Sequence, residues 1–174
     1  MLPLDRIARW DLQLCLRMNR VCYRLTWRVL FRCISMLGDG IAWYALMAAL
    51  LLRYHNEAVI PVLHMIVVGL VCTAGYKWLK ARTLRPRPYQ LHSSIRHFIA
   101  PLDRFSFPSG HTLHAVAFSL VAAGYYPGLS APLAVFSILV AISRIVLGLH
   151  YPSDVVAGAA IGALIAIASQ ALMR

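Results

Sequence analysis

The sequence predicts an all-α fold: an integral membrane helical bundle of about five transmembrane helices, preceded by an amphipathic interfacial helix. Three observations carry this. The 174-residue chain is 60% hydrophobic and 13% charged, with a mean hydropathy of +0.69; soluble domains average about 45–50% apolar and about 25% charged. Five segments approach the ~20 apolar residues a helix needs to cross a bilayer. Charge is confined between them: neither Thr112–Ser143 nor Val155–Met173 contains Asp, Glu, Lys or Arg.

Residues 1–32 carry seven arginines, at positions 6, 9, 17, 20, 24, 28 and 32, with Leu, Trp, Val and Ile between them. The spacing Arg17, Arg20, Arg24, Arg28 is helical and charges one face. Such a helix belongs among the headgroups, because an arginine at the bilayer centre costs about 2.5–3.5 kcal/mol. The same arginines leave no unbroken apolar run for a cleavable signal peptide, and Asp5 and Asp11 argue against a mitochondrial-type presequence.

Residues 33–174 form the expected transmembrane domain, with spans at about 33–53, 58–79, 109–126, 129–149 and 153–173. Gly38-Asp39-Gly40 lies near the start of the first, where Asp39 reads as a turn or helix-start residue. Pro127-Gly128 separates the third from the fourth. Gly158 and Gly162 in the fifth have the GxxxG spacing of close helix packing. Residues 80–108 are the one long polar segment. Pro86, Pro88, Pro101 and Pro108 prevent a continuous helix there, so it reads as a functional loop. Cys15, Cys22, Cys33 and Cys72 form no CxxC pair and read as small apolar residues. Trp10, Trp27, Trp43 and Trp78 sit where interfacial anchors belong.

The balance of 17 Lys+Arg against 6 Asp+Glu gives a net charge of +11. Excess positive charge suits nucleic acid, anionic lipid or a phosphate-bearing substrate. The oily background favours the last two, so the expected partners are the bilayer and a membrane lipid, with no nucleic acid.

Three polar clusters stand at the ends of apolar spans: Lys80-x6-Arg87-Pro88, Pro108-Ser109-Gly110-His111 and Ser143-Arg144-x5-His150-x3-Asp154. An up-and-down bundle brings all three to one membrane face. Lys80, Arg87 and Arg144 are cations that can surround a phosphate. Ser109 and Gly110 precede a helix, whose first amides form an anion site. His150 can serve as a nucleophile and His111 as an acid or base. Asp154, four residues beyond His150, can orient its ring as the aspartate does in a serine-protease triad. Arg82, Arg85 and Arg96 read as a basic rim and Lys77 as a membrane anchor. His114 reads as a helix-face residue, since a metal site with His111 lacks further ligands.

These stretches, KARTLRPRP (80–88), PSGH (108–111) and SRIVLGLHYPSD (143–154), resemble the three signature motifs of the type 2 phosphatidic acid phosphatase superfamily at every defining position. The resemblance implies a phosphatase that needs no metal or cofactor and passes through a phosphohistidine. It makes His150 the nucleophile, Asp154 its orienting partner, and His111 the group that protonates the leaving oxygen and then activates water. Lys80, Arg87, Arg144, Ser109 and the Gly110 amide would bind the phosphoryl oxygens. Small bacterial members are similar in length, which points to a multi-pass protein of the inner (cell) membrane acting on undecaprenyl diphosphate or a phosphatidate-type lipid.

The five-span topology puts 15 of the 17 Lys+Arg on the site's face, leaving Arg53 and Arg174 opposite. The positive-inside rule then predicts a cytoplasmic site, whereas many bacterial relatives face the periplasm. A lipid phosphotransferase on the same site and a non-enzymatic anionic-lipid carrier are the alternatives. A vanadium-dependent haloperoxidase would share the motifs but is soluble and much larger. Oligomeric state is not written in the sequence.

Overall fold

Every element of the computed structural model, which describes residues 3–101 and 103–173, is helical. Residues 1–2 of the expected interfacial segment, and Arg174, counted opposite the site, lie outside the described residues.

The arginine-rich segment divides in two. Helix α1 spans Pro3–Asn19 and a 3₁₀ turn, Arg20–Tyr23, follows it. Helix α2 (Leu25–Met36) starts ahead of residue 33 and continues through a π turn (Leu37–Ile41), kinked at Gly40, into α3 (Ala42–Tyr54). A 3₁₀ turn at His55–Ala58 reverses the chain into α4 (Val59–Thr83). The polar segment holds one short helix, α5 (Pro88–Leu91). Then come α6 (Gly110–Tyr125), the Pro127–Leu129 turn, α7 (Ser130–Val146) and α8 (Pro152–Leu172).

Among the described residues, three helical runs are long and apolar enough to cross a membrane: Leu25–Leu91, which holds α2, α3 and α4, then Pro127–Val146 and Pro152–Leu172. Leu52, Leu70, Val156 and Leu164 are exposed along them. Apolar side chains facing outward are what a lipid solvent selects, since only backbone polar groups must be satisfied internally.

Helix α6 has 16 residues, about 24 Å at 1.5 Å per residue. It is the hub, packed by α4, α7 and α8. Small residues allow this. A Cβ on Gly162 would sit 2.3 Å from the Leu113 carbonyl oxygen, and one on Gly158 2.5 Å from that of Ser109. The GxxxG face of α8 therefore touches α6 backbone directly, as its spacing predicts. Ser137 of α7 donates to the Ala115 carbonyl at 3.0 Å and pairs with Ser119 of α6 at 2.8 Å. Trp43 of α3 packs between Phe118 and Phe136, ring centres 5.3 and 5.4 Å away.

Lys80, His111, Arg144 and His150 share a cavity at one end of the bundle. At the other end Tyr54 stacks on Tyr126 and Tyr125 meets His64. Successive helices therefore alternate in direction. Helix α1 docks at the site end. The Asn19 amide donates to the carbonyls of Arg96 at 2.8 Å and Val146 at 3.0 Å, and accepts from the Arg96 N–H at 3.0 Å.

Candidate active site

The site forms where helix ends leave polar groups facing one another. Helix α4 stops at Leu84, whose left-handed backbone (φ 48°) lets its N–H donate to the Lys80 carbonyl at 3.1 Å. The chain then turns through Arg85–Arg87, and Pro88 opens α5, since an N-terminal turn needs no donor there. After α7 the chain folds back under Arg144. The N–H groups of Leu149 and His150 both donate to the Arg144 carbonyl, at 3.1 and 3.2 Å. Gly148 permits the turn: its φ is +75°, and a Cβ would sit 2.7 Å from the Arg96 carbonyl oxygen. The spacing between Arg144 and His150 is thus the length of one closed turn.

Of the eight residues picked out by sequence, six line one cavity of about 320 Å³: Lys80, Arg87, Gly110, His111, Arg144 and His150. The other two stand behind it. Ser109 is fully buried; its N–H donates to the Asp154 carbonyl at 3.0 Å and its hydroxyl pairs with Thr112 at 3.0 Å. Its amide is therefore engaged within the protein, and Gly110 carries the helix N-terminus into the cavity.

Asp154 lies beside His150, its Oδ2 3.7 Å from Nδ1. That is too long for a hydrogen bond, and Nδ1 has no other partner among the described residues. The Asp154 carboxylate is held instead by the Tyr151 N–H at 2.8 Å, Arg85 Nη1 at 2.7 Å and the Ser106 hydroxyl.

Arg87 is almost completely buried and explains the orientation of His150. Its Nη1 donates to the Leu149 carbonyl at 2.8 Å and to His150 Nε2 at 3.3 Å. A guanidinium donates and never accepts. This contact therefore makes Nε2 the lone-pair nitrogen and assigns the ring proton to Nδ1, on the Asp154 side. Burial first, and then the charges of Arg144, Arg87 and Lys80, hold the His150 pKa well below its ordinary 6.5.

Sequence reasoning missed several residues. Asp103, in the loop after α5, receives Lys80 Nζ at 2.7 Å and Arg87 Nη2 at 2.8 Å. Burial alone would raise its pKa, but the hydrogen bond and charge of Lys80, with Arg87, bring it below the usual carboxylate value. Arg85, expected on a basic rim, is a bridge: Nη1 also reaches Ser153 at 2.8 Å, and Nη2 reaches Asp11 of α1 at 2.8 Å. Asp39 contacts His111 Nε2. One signal could have found them. The chain has only 6 acidic residues, and Asp11, Asp39, Asp103 and Asp154 all meet a site residue or its support. His114 also lines the cavity and bridges the Gly110 carbonyl and Thr73. Among the described residues no group of three or more His, Cys, Asp or Glu could hold a metal.

Beyond its basic end the cavity is apolar, walled by Trp43, Tyr44, Met47, Ile66, Leu70 and Phe118. A charged pocket opening into an oily slot suits a phosphate carried on a hydrocarbon tail.

The chain resembles several known proteins. Undecaprenyl-diphosphatase BcrC of Bacillus subtilis is 32% identical over 105 residues, 59% of this chain and 54% of the relative. A decaprenylphosphoryl-5-phosphoribose phosphatase of Mycobacterium tuberculosis is 38% identical over 87 residues, 50% of this chain and 47% of the relative. A lipid A 1-phosphatase of Rhizobium johnstonii is 36% identical over 89 residues, 49% of this chain and 36% of the relative. The matches thus span about half or less of those relatives' lengths. Among solved structures, Aquifex aeolicus LpxE superposes with a TM-score of 0.79 at 29% identity, covering 92% of this chain and 94% of that one. A transmembrane PAP2-type phosphatidylglycerolphosphate phosphatase from Bacillus subtilis superposes with a TM-score of 0.80 at 22% identity, covering 97% and 87%; that likeness shows the fold. A family profile matches residues 57–174, a stretch that contains all three polar motifs, and the chain therefore belongs to the PAP2 superfamily.

Proposed function

We propose that this protein is a membrane lipid phosphatase that hydrolyses a terminal phosphoryl group, from undecaprenyl diphosphate or a phosphatidate-type lipid, through a phosphohistidine on His150. One observation carries the reading. The donor contact from Arg87 leaves the Nε2 lone pair of His150 as the nucleophile, inside a cavity walled by Lys80, Arg87 and Arg144.

The chemistry then balances. Nε2 attacks phosphorus while the bond to the lipid oxygen breaks, and His111 gives that oxygen its proton. His111 next takes a proton from water, whose oxygen attacks phosphorus. The P–N bond breaks and its electron pair returns to Nε2. Phosphoryl transfer depends mostly on positioning and on neutralising charge across the equatorial oxygens. Three cations and the Gly110 amide supply that, so no metal need join them. Asp103 occupies two of the cations and must yield them as phosphate enters. Asp154 stabilises the His150 ring by charge across the 3.7 Å gap.

Three of the relatives named above are, by name, an undecaprenyl-diphosphatase, a decaprenylphosphoryl-5-phosphoribose phosphatase and a lipid A 1-phosphatase, which supports a lipid phosphate substrate in a bacterial cell membrane. Helix α1 packs at the site end, so the chain's positive charge gathers there and the positive-inside rule favours a cytoplasm-facing site.

The test is phosphate release by the detergent-purified protein in EDTA from undecaprenyl diphosphate, phosphatidate, phosphatidylglycerophosphate and a soluble phosphomonoester. His150→Ala should abolish release, a loss on the order of 10⁴-fold or more. Release that survives the substitution would refute the phosphohistidine. No release by folded wild type from any lipid would favour the phosphotransferase or carrier.

A further inference from the structure

We infer that Asp39 is the positioning residue for His111, so that each of the two histidines given a chemical role has its own carboxylate. The inference rests on the acid–base role proposed for His111.

The sequence reads Asp39 as a turn or helix-start residue, and it does sit in the π turn Leu37–Ile41, at the kink where α2 gives way to α3; what the sequence does not give is its partner. π turns cost regular hydrogen bonding and concentrate at functional sites. Two glycines build this one. Gly40 has φ +136°, a conformation L residues rarely adopt. A Cβ on Gly38 would lie 3.1 Å from both Val140 methyls and 3.8 Å from His111 Cδ2. The helix is therefore pressed against α7 and against the His111 ring at this point. Asp39, between the two glycines, projects its carboxylate onto His111 Nε2.

Its surroundings make this costly without a purpose. Met36, Leu37 and Ile41 are exposed around it, in a helical run long and apolar enough to cross a membrane. A carboxylate among such side chains pairs with a partner or marks a functional pathway. Asp39 and His111 both line the cavity that holds His150 and Arg144.

The chemical consequence is specific. A carboxylate accepts and does not donate, so its contact places a proton on His111 Nε2. Nδ1 is then the nitrogen left to exchange a proton with the leaving oxygen. Asp39 fixes the ring's orientation and stabilises its cationic form, as a carboxylate does for a catalytic histidine.

Leaving-group dependence tests this. kcat/KM would be measured on phosphatidate, whose alkoxide needs protonation, and on p-nitrophenyl phosphate, whose phenolate does not. Wild type, Asp39→Asn and His111→Gln would be compared. Asp39→Asn should lose on the order of 10²-fold on phosphatidate, within the range of a general-acid contribution, and less than about 3-fold on the aryl ester. His111→Gln should show the same split. Misfolding would lower both substrates equally, so the ratio reports the role. If His111→Gln shows the split and Asp39→Asn does not, this inference fails and the role of His111 stands. If His111→Gln loses equally on both, the acid–base reading fails and takes this inference with it.

Discussion

At the scale of single residues, the site is governed by who can donate. Arg87 has no acceptor, so its contact with His150 settles which ring nitrogen holds the lone pair. Burial and the three cations then keep that lone pair free of a proton. The sign follows. Between the folded pKa and 6.5 the unfolded chain binds the proton and the folded chain does not, so this group lowers stability as pH falls through 6.5. Above 6.5 both states are neutral and it contributes nothing. The proposed nucleophile therefore remains available at mildly acid pH. An NMR titration of the ring in detergent should show His150 still neutral at pH 6.5, with His150→Ala identifying its signal; a midpoint at or above 6.5 would contradict this. Asp103 has the opposite sign: its lowered pKa adds stability above the ordinary carboxylate value of 3.8, which is lost as pH falls through the folded value.

At the scale of elements, α6 and α8 set the geometry. Ser109 and Gly110 begin α6, Asp154 lies in the first turn of α8, and the Ser109 N–H donates to the Asp154 carbonyl at 3.0 Å. The contact of Gly158 and Gly162 with α6 backbone continues that register along the helices. Gly162→Ala must therefore push two backbones apart. Overpacking of this kind costs about 1–3 kcal/mol, and the purified variant should melt several degrees lower. An unchanged melting temperature would show that α8 can slide without cost. Helix α1 adds a second clamp: Asp11 accepts from the Ser153 N–H at 2.9 Å and from Arg85, which also holds Asp154. An arginine-rich surface helix is thereby tied to the carboxylate beside His150.

For the whole molecule, the polar ends of the helices gather at one end of an apolar bundle, and the cavity opens from that basic end into a slot lined with Trp, Leu, Ile and Met. The proposed substrate would thus set its phosphate and its hydrocarbon against different walls. The charge asymmetry has a consequence for orientation, because α1 and the polar loop share the site end. A reporter fused after residue 174 should be found outside the cytoplasm. A cytoplasmic reporter would place the site in the periplasm and show that the arginines are held by protein contacts such as Arg85 with Asp11, not by the inner surface of the membrane.

Composition, the charge-free stretches and the three polar motifs were enough to establish a helical membrane bundle, to name its cavity cations and to single out both histidines. Those features depend on local spacing and on the solvent the chain must satisfy. Other decisions needed the fold. That Ser109 faces protein and not the cavity, that Arg85 bridges Asp11 to Asp154, and that Asp103 and Asp39 meet residues of the site all depend on contacts between residues 16 to 74 positions apart. The span boundary near residue 33 was illegible because α2 carries exposed apolar residues on both sides of it. A hydropathy pattern reports the environment of a side chain; only packing decides its partner.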